Sequence, residues 1–246
     1  MKETIYTIPI NEAFDFYDIC PMCRLKNDLE AASVEFIMGA AMMEPVVRIK
    51  TNEQGFCRHH LNAMLIEKNK LALALMLESH LPELNDSLFA CSGELAKNKP
   101  AGRLSCRKAS VRRGMQKLLG AARGIEHSCY ICNRIDDLMK HYYDNLMYMW
   151  KKEPEFRDKF MRQKFFCLPH YTDLLEHSAR CLPGKYKLDF VAELSRICQS
   201  HLSVLKNEIL EFCKSFDYRF AGRGLSDGAI ASVEQAADFL TGQWPP

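Results

Sequence analysis

Two kinds of metal-ligand pair punctuate this chain, and each kind occurs twice. Cys20-Pro21-Met22-Cys23 and Cys129-Tyr130-Ile131-Cys132 are C-x-x-C pairs, while Cys57-Arg58-His59-His60 and Cys167-Leu168-Pro169-His170 are C-x-x-H pairs. Between Cys23 and Cys57 lie 33 residues, and between Cys132 and Cys167 lie 34. Phe56 and Phe166 stand immediately before the third cysteine of each copy. Three thiolates and one imidazole are what a tetrahedral zinc ion takes. Pairing neighbours along the chain, the spacing predicts two Cys3His sites and two Zn2+ per chain. The first is Cys20, Cys23, Cys57 and His60; the second is Cys129, Cys132, Cys167 and His170.

The local chemistry supports those ligands. At a helix start, positions i and i+3 share a face, so Cys57 and His60 can reach one ion together. The helix N-terminus also stabilises the net −1 charge of a zinc ion held by three thiolates. The C-x-x-C pairs read as tight turns, with Pro21 restricting the first of them. Arg24, Arg58 and Arg134 stand beside the ligands and could offset their charge. His59 competes with His60. Aligning the copies sets His170 opposite His60 and Pro169, which cannot ligate, opposite His59, so His60 is the expected ligand. Four protein ligands leave no open coordination position, which predicts structural zinc and no hydrolytic centre. Such binding is folding energy, on the order of 10 kcal/mol per site. An iron–sulfur cluster on the same residues is the runner-up. A thioredoxin-type dithiol is disfavoured, because no βαβ pattern surrounds either C-x-x-C.

The elements that must position these residues read as mainly α-helical. Residues 4–10 alternate weakly and predict a short strand. Leu25, Leu29, Ala32, Phe36 and Ala40 predict a helix over 24–43, stopped by Pro45. Val46-Val47-Arg48-Ile49 reads as extended. Leu61, Met64, Leu65, Ala72, Leu75 and Met76 trace a helix through about residue 80, kinked near Pro82. In the second copy, Ile135, Leu138, Met139, Tyr142, Leu146 and Met149 mark a helix that ends before Pro154, with a short helix over 155–164. A long helix at 188–216 carries a seam of Val191, Ser195, Cys198, Leu202, Leu205, Ile209, Phe212 and Phe216, expected to pack on the 60–90 helix. Ser226 caps a last helix, whose apolar stripe is Ile230, Val233, Ala237 and Leu240. Ser-His-Leu at 79–81 and at 200–202 supports an internal duplication. The predicted organisation is a first metal-binding repeat over 1–96 and a basic connector over 97–124. A second repeat follows over 125–222, then a C-terminal helix and tail over 223–246.

Composition narrows the function. The chain has 246 residues, is 48% hydrophobic and 26% charged, and contains 12 Gly and 10 Pro, as expected of a globular helical protein. Six thiolates and two dications bring the formal charge of +2 to zero, so net charge points to no partner. No apolar run is long enough to span a membrane, and the N-terminus lacks a signal-peptide core. Eleven cysteines without a small secreted framework predict the cytoplasm. Residues 97–124 carry nine Lys and Arg and no acid. That stretch raises nucleic-acid binding as an alternative, disfavoured by the lack of interleaved aromatics. Cys91, Cys198 and Cys213 read as small core hydrophobes. Cys106, among Arg103, Arg107 and Lys108, is a linker thiol or a reactive one. His80 and His201 read as packing or hydrogen-bonding residues. No G-x-G-x-x-G, P-loop, G-x-S-x-G or H-E-x-x-H occurs, so a non-enzymatic role is expected.

Tyr6-Thr7-Ile8-Pro9-Ile10-Asn11-Glu12-Ala13-Phe14, the Cys-Pro-Met-Cys and Gly55-Phe56-Cys57-Arg58-His59-His60 motifs, Leu71–Leu77 and the second C-x-x-C resemble one family. It is a group of uncharacterised cytoplasmic proteins of anaerobic Firmicutes, clostridia and their relatives, and the likeness runs nearly end to end. The resemblance implies source and architecture and brings no activity. The expected function is therefore a zinc-stabilised helical binding or scaffold protein. It would meet a protein partner or small ligand through a groove between the halves or through its C-terminal helix. Two alternatives stand beside it: a redox or metal-responsive protein, and a nucleic-acid-associated regulator using the connector.

Overall fold

The computed structural model describes residues 5–97, 104–220 and 224–242, with side chains described outside 90–111 and 220. Among the described residues every regular element is helical. The α-helices are α1 (Thr7–Ala13), α2 (Pro21–Met38), α3 (Pro45–Gln54), α4 (Arg58–Ile66), α5 (Lys70–Lys97) and α6 (Leu104–Glu126). They continue with α7 (Tyr130–Lys152), α8 (Pro154–Met161), α9 (Leu168–Cys181), α10 (Gly184–Ser215) and α11 (Asp227–Thr241). Short 3-10 turns cover Ala40–Met43 and Tyr218–Phe220. None of the described helices is long and apolar enough to cross a membrane.

Two compact units share the chain, and neither is a continuous stretch of a single copy. One comprises residues 1–29 and 137–246, the other residues 30–136. The boundaries fall inside α2 and α7.

The discontinuous unit is built around aromatic side chains. Phe14, Phe156, Phe160, Phe166 and Phe190 are each less than 2% exposed. Phe160 stacks on Phe166 with centroids 4.9 Å apart, and Trp150 meets Phe160 and Phe190 edge-on at 5.1 Å. Aromatic rings of this size dominate burial, and edge-to-face pairs add about 0.5–1.5 kcal/mol each. In the segment expected as a strand, residues 7–10 instead enter the helix α1, which buries Thr7, Ile10 and Ala13. Those positions are three apart, a helical step that outweighs the β-branched content of the segment. Every residue assigned to the apolar face of α7 is buried or half-buried.

Two faces are rotated from expectation. On α10 the buried residues are Phe190, Leu194, Ile197, Cys198 and Leu205, while Leu202 is 44% and Phe216 78% exposed. That face packs against α9 and α11 of its own unit. On α11, Ile230, Val233 and Leu240 are all more than half exposed, and Ala229, Ser232 and Phe239 turn inward. Close approach explains the choice: a Cβ at Gly228 would overlap Glu208 of α10, so the face of small residues sits against that helix. Ser226 caps α11 as expected, its Oγ accepting from Ala229 N at 3.2 Å.

In the 30–136 unit, α3 lies on α5 and α5 on α6. Val46-Val47-Arg48-Ile49 is helical, because Pro45 occupies the start of α3, where its missing N–H costs nothing. A polar ladder joins α3 to α5. Arg48 donates to Leu75 O at 2.8 Å and to Ser79 Oγ at 2.7 Å, Ser79 donates to Asn52 Oδ1 at 2.9 Å, and Asn52 donates to Glu83 Oε1 at 3.0 Å. The helix expected from Cys57 to residue 80 is interrupted between Ile66 and Lys70, and Pro82 is accommodated within α5. The α2 face is also turned: Ser33, Val34, Ile37 and Met38 are buried, whereas Ala32 and Ala40 are exposed. The connector is largely helical, with α6 covering most of it. Arg112, Arg113, Lys117 and Arg123 of α6 are exposed. Residues 98–103 of the connector and the thiols of Cys91 and Cys106 lie outside the described residues and side chains.

Candidate metal centres

All four ligand pairs begin a helix. Cys20 precedes Pro21 at the start of α2, Cys129 precedes Tyr130 at the start of α7, and Cys57 and Cys167 are the N-caps of α4 and α9. The second ligand of each pair, Cys23, His60, Cys132 or His170, is then the third residue of its helix. The Cys carbonyl accepts the first helical hydrogen bond in all four cases, at 2.8–3.0 Å. The C-x-x-C pairs are thus helix starts like the C-x-x-H pairs, and Pro21 serves as a first-turn proline. Each centre receives two helix N-termini, whose partial positive charge favours an anionic thiolate cluster.

The pairing differs from the neighbour-to-neighbour scheme. Cys20 and Cys23 converge with Cys167 and His170, whereas Cys57 and His60 converge with Cys129 and Cys132. Two Cys3His groups therefore exist, made of the expected eight residues, but each draws its C-x-x-C from one copy and its C-x-x-H from the other. The groups Cys20/Cys23/Cys57/His60 and Cys129/Cys132/Cys167/His170 do not form. The physical reason lies in the fold: the outer centre belongs wholly to the 1–29/137–246 unit and the inner one to the 30–136 unit. A backbone bond helps to close the inner centre, with Tyr130 N donating to Gly55 O at 3.0 Å. Gly55 turns the chain there at φ 61°, a conformation open to glycine, and a Cβ on it would come within 3.0 Å of His80 Nε2. His80 is held in turn through Nδ1 by Asn52 O at 2.8 Å.

The donor separations fit a tetrahedral ion. Bonds of about 2.3 Å to sulfur and about 2.0–2.1 Å to nitrogen require S–S edges near ~3.8 Å and S–N edges near ~3.6 Å. In the outer centre Cys23 Sγ lies 3.5 Å from Cys167 Sγ, and His170 Nδ1 lies 3.7, 3.3 and 3.1 Å from Cys20, Cys23 and Cys167. In the inner centre Cys57 Sγ lies 3.8 Å from Cys132 Sγ, and His60 Nδ1 lies 3.2, 3.3 and 3.5 Å from Cys57, Cys129 and Cys132.

Protonation follows from the crowding. Burial works against the Cys129 thiolate, yet the hydrogen bond from His60 and backbone bonds at Cys132 and Cys57 outweigh it and bring its pKa to about 6. Burial likewise opposes charge on His60, but its bonds to Cys129 and Glu30 lift it to about 10. Cys20 is held well below the usual thiol value: burial opposes this, and bonds from Cys167, Cys23 and His170 overcome it. Cys167 and Cys132 are pushed the other way. Cys167 is raised by its bonds to Cys20 and Cys23, and Cys132 by burial and then by Cys129. Without a cation the sulfurs share protons, and a bound dication displaces them.

The two centres differ in cover. All four ligands of the outer centre are buried. In the inner centre Cys57 and Cys132 are half-exposed. Among the described residues, only the inner centre shows a carboxylate behind its imidazole. Glu30 Oε1 lies 3.3 Å from His60 Nε2 and also contacts His59 Nε2. Burial raises the Glu30 carboxyl, and the contacts with His60 and His59 outweigh it and hold it below the ordinary carboxylate range. A carboxylate behind a ligating imidazole fixes its ring orientation. Glu30 was not legible in the sequence, being one acid on a helix face; His59 is its other partner and not a member of the sulfur cluster. Arg24 and Arg134 lie over the Phe16 and Phe36 rings at 3.5 and 5.3 Å, so both pack on aromatic faces.

Outside the centres, Cys198 is a core thiol, pushed by burial up to about 11, with Phe166 O 3.6 Å from its sulfur. Cys213 is exposed, contrary to expectation. His201 stacks on Phe165 at 4.5 Å. A third convergence, Asp144 with His177 and Cys181, went unread in the sequence, although His177 and Cys181 stand four apart on α9.

A family model described as "Family of unknown function (DUF6062)" matches residues 1–246. No curated protein and no solved structure matches the chain.

Proposed function

Since the chain belongs to that family, whose function is unknown, membership brings no activity, and we propose a zinc-stabilised helical binding or scaffold protein with two structural Cys3His sites. The observation that supports it is the convergence of all eight ligands into two closed quartets at paired helix N-termini. Four protein donors leave zinc no position for water or substrate, so its contribution is to folding. The exposed Ile230, Val233 and Leu240 face of α11 supports a partner-binding role for the C-terminal helix. Elemental analysis of anaerobically purified protein tests the reading. Two zinc per chain, a colourless solution and loss of helical circular dichroism on chelation are expected. Iron with a visible chromophore, or full helicity after metal removal, overturns it.

A second reading, a metal- or redox-responsive protein, is favoured by one observation: Cys57 and Cys132 of the inner centre are half-exposed while every outer ligand is buried. Thiolates accessible to solvent are the ones that exchange or oxidise. Mass-spectrometric mapping of alkylated cysteines during slow chelation tests it. Labelling of Cys57 and Cys132 well before Cys20, Cys23 and Cys167 supports it, and simultaneous labelling refutes it.

A further inference from the structure

Asp144, His177 and Cys181 form a side-chain cluster that neither Cys3His centre uses, and all three belong to the 1–29/137–246 unit. His177 and Cys181 lie four residues apart on α9 and so share a face of that helix, while Asp144 comes from α7. His177 Nδ1 lies 3.3 Å from Asp144 Oδ1, and Cys181 Sγ lies 3.4 Å from the same oxygen. All three donor atoms fall within 4.8 Å of one another.

We propose that Asp144, His177 and Cys181 constitute a third, open site for a borderline divalent transition ion such as Zn2+ or Co2+. Carboxylate, imidazole and thiolate together suit such ions, and the sulfur disfavours Mg2+ and Ca2+, which take oxygen ligands. Tetrahedral bonds of about 2.0–2.3 Å give N–O and S–O edges of about 3.3–3.6 Å, the separations found here. One thiolate and one carboxylate neutralise a dication.

The surroundings are asymmetric in the way an open site requires. The His177 side chain is only 10% exposed, and its ring stacks on Tyr143 with centroids 4.5 Å apart. Tyr143 is itself held, its hydroxyl donating to Asp173 at 2.8 Å. The imidazole is therefore fixed before any ion arrives. Asp144, by contrast, has a side chain 55% exposed, and Cys181 is exposed at the last turn of α9. The three donors thus approach an ion from the protein side and leave its outward side to water or an exogenous ligand. Three protein ligands with one vacancy is the arrangement in which a metal polarises a bound water or small anion, unlike the two closed quartets.

The test supplies two equivalents of spectroscopically silent zinc, which the four-donor Cys3His centres take before a three-donor site, and then titrates the full-length chain with Co2+. The expected result is a thiolate-to-cobalt charge-transfer band that saturates at one equivalent and shifts when azide is added. Cys181→Ala should abolish the band while retaining two zinc and native circular dichroism, since this thiol is exposed. Asp144→Asn should raise the half-saturating cobalt concentration about tenfold, through loss of a charged donor. Absence of the band in the unmodified chain overturns the proposal. So does its persistence in Cys181→Ala, which would mark cobalt entering a zinc quartet or another thiol. A band that ignores azide refutes the open position. Failure of the structural-zinc reading would register separately, in the zinc count taken before cobalt is added.

Discussion

The exchange of ligand pairs between copies makes a prediction about stoichiometry that a simple protein preparation can decide. Consider three variants: Cys20→Ser, Cys20→Ser with Cys167→Ser, and Cys20→Ser with Cys57→Ser. In the structure Cys20 and Cys167 serve one centre and Cys57 the other. The first two variants should each keep one zinc, and the third should keep none. Chain entropy does not settle the matter in advance. Neighbour pairing would close loops of 34 and 35 residues, whereas the inner centre spans 69 residues from His60 to Cys129. Doubling a loop costs only about 0.6 kcal/mol. Once the inner centre has formed, the 144-residue separation of Cys23 and Cys167 is bridged by the two flanking segments alone, so its penalty is of similar size. About 1 kcal/mol in all is small beside roughly 10 kcal/mol per site. Helix packing decides the pairing, and the double variants report it. Losing one centre removes a contribution comparable to the whole stability of a domain, about 5–15 kcal/mol, so metal content should be read at low temperature alongside circular dichroism. If Cys20→Ser with Cys57→Ser retains one zinc and Cys20→Ser with Cys167→Ser retains none, the exchanged pairing is wrong.

Three further outcomes are expected. Gly55→Ala should destabilise the protein by about 1–3 kcal/mol in urea unfolding, because φ 61° with ψ −156° is a glycine conformation and His80 Nε2 crowds the new Cβ; an unchanged midpoint would remove Gly55 from the account. Burial lowers the His201 pKa below its ordinary 6.5, so the unfolded chain takes up the proton first and stability falls as pH drops below that value. His201→Gln should therefore lose less of its urea midpoint between pH 7.5 and pH 5.5 than the unmodified chain, and an equal or larger loss contradicts the sign. Glu30→Gln should speed chelator extraction of the inner zinc by roughly 10–100-fold and leave the outer one unaffected; unchanged extraction kinetics would separate Glu30 from His60.

The ligands were legible because C-x-x-C and C-x-x-H are local patterns that a helix start presents on one face. Their partners were not, since 33 and 34 intervening residues look alike whichever way the pairs combine. Helix content was readable from the spacing of Ile135, Met139, Tyr142 and Leu146, all buried in α7. It was misread where β-branched residues cluster, at Ile5–Ile10 and Val46–Ile49, because tertiary packing overrides a propensity worth about 1 kcal/mol. The inward face of α11 was missed for a different reason. Its large residues, Ile230, Val233 and Leu240, spell an apolar stripe in the sequence, while Gly228, Ala229 and Ser232 let the helix sit close to α10. Glu30 and the Asp144, His177 and Cys181 trio depend on contacts between helices, which no spacing along the chain announces.

One copy of the motif cannot finish a quartet of the crossed kind. It holds a pair of sulfurs that waits for an imidazole from elsewhere, and a cysteine–histidine pair that waits for sulfurs from elsewhere. Two copies complete two quartets at once, whether joined in one polypeptide or supplied by separate chains. The arithmetic of a symmetric dimer is thereby written into a single chain, and neither centre can close on the ribosome until residues past the midpoint have emerged.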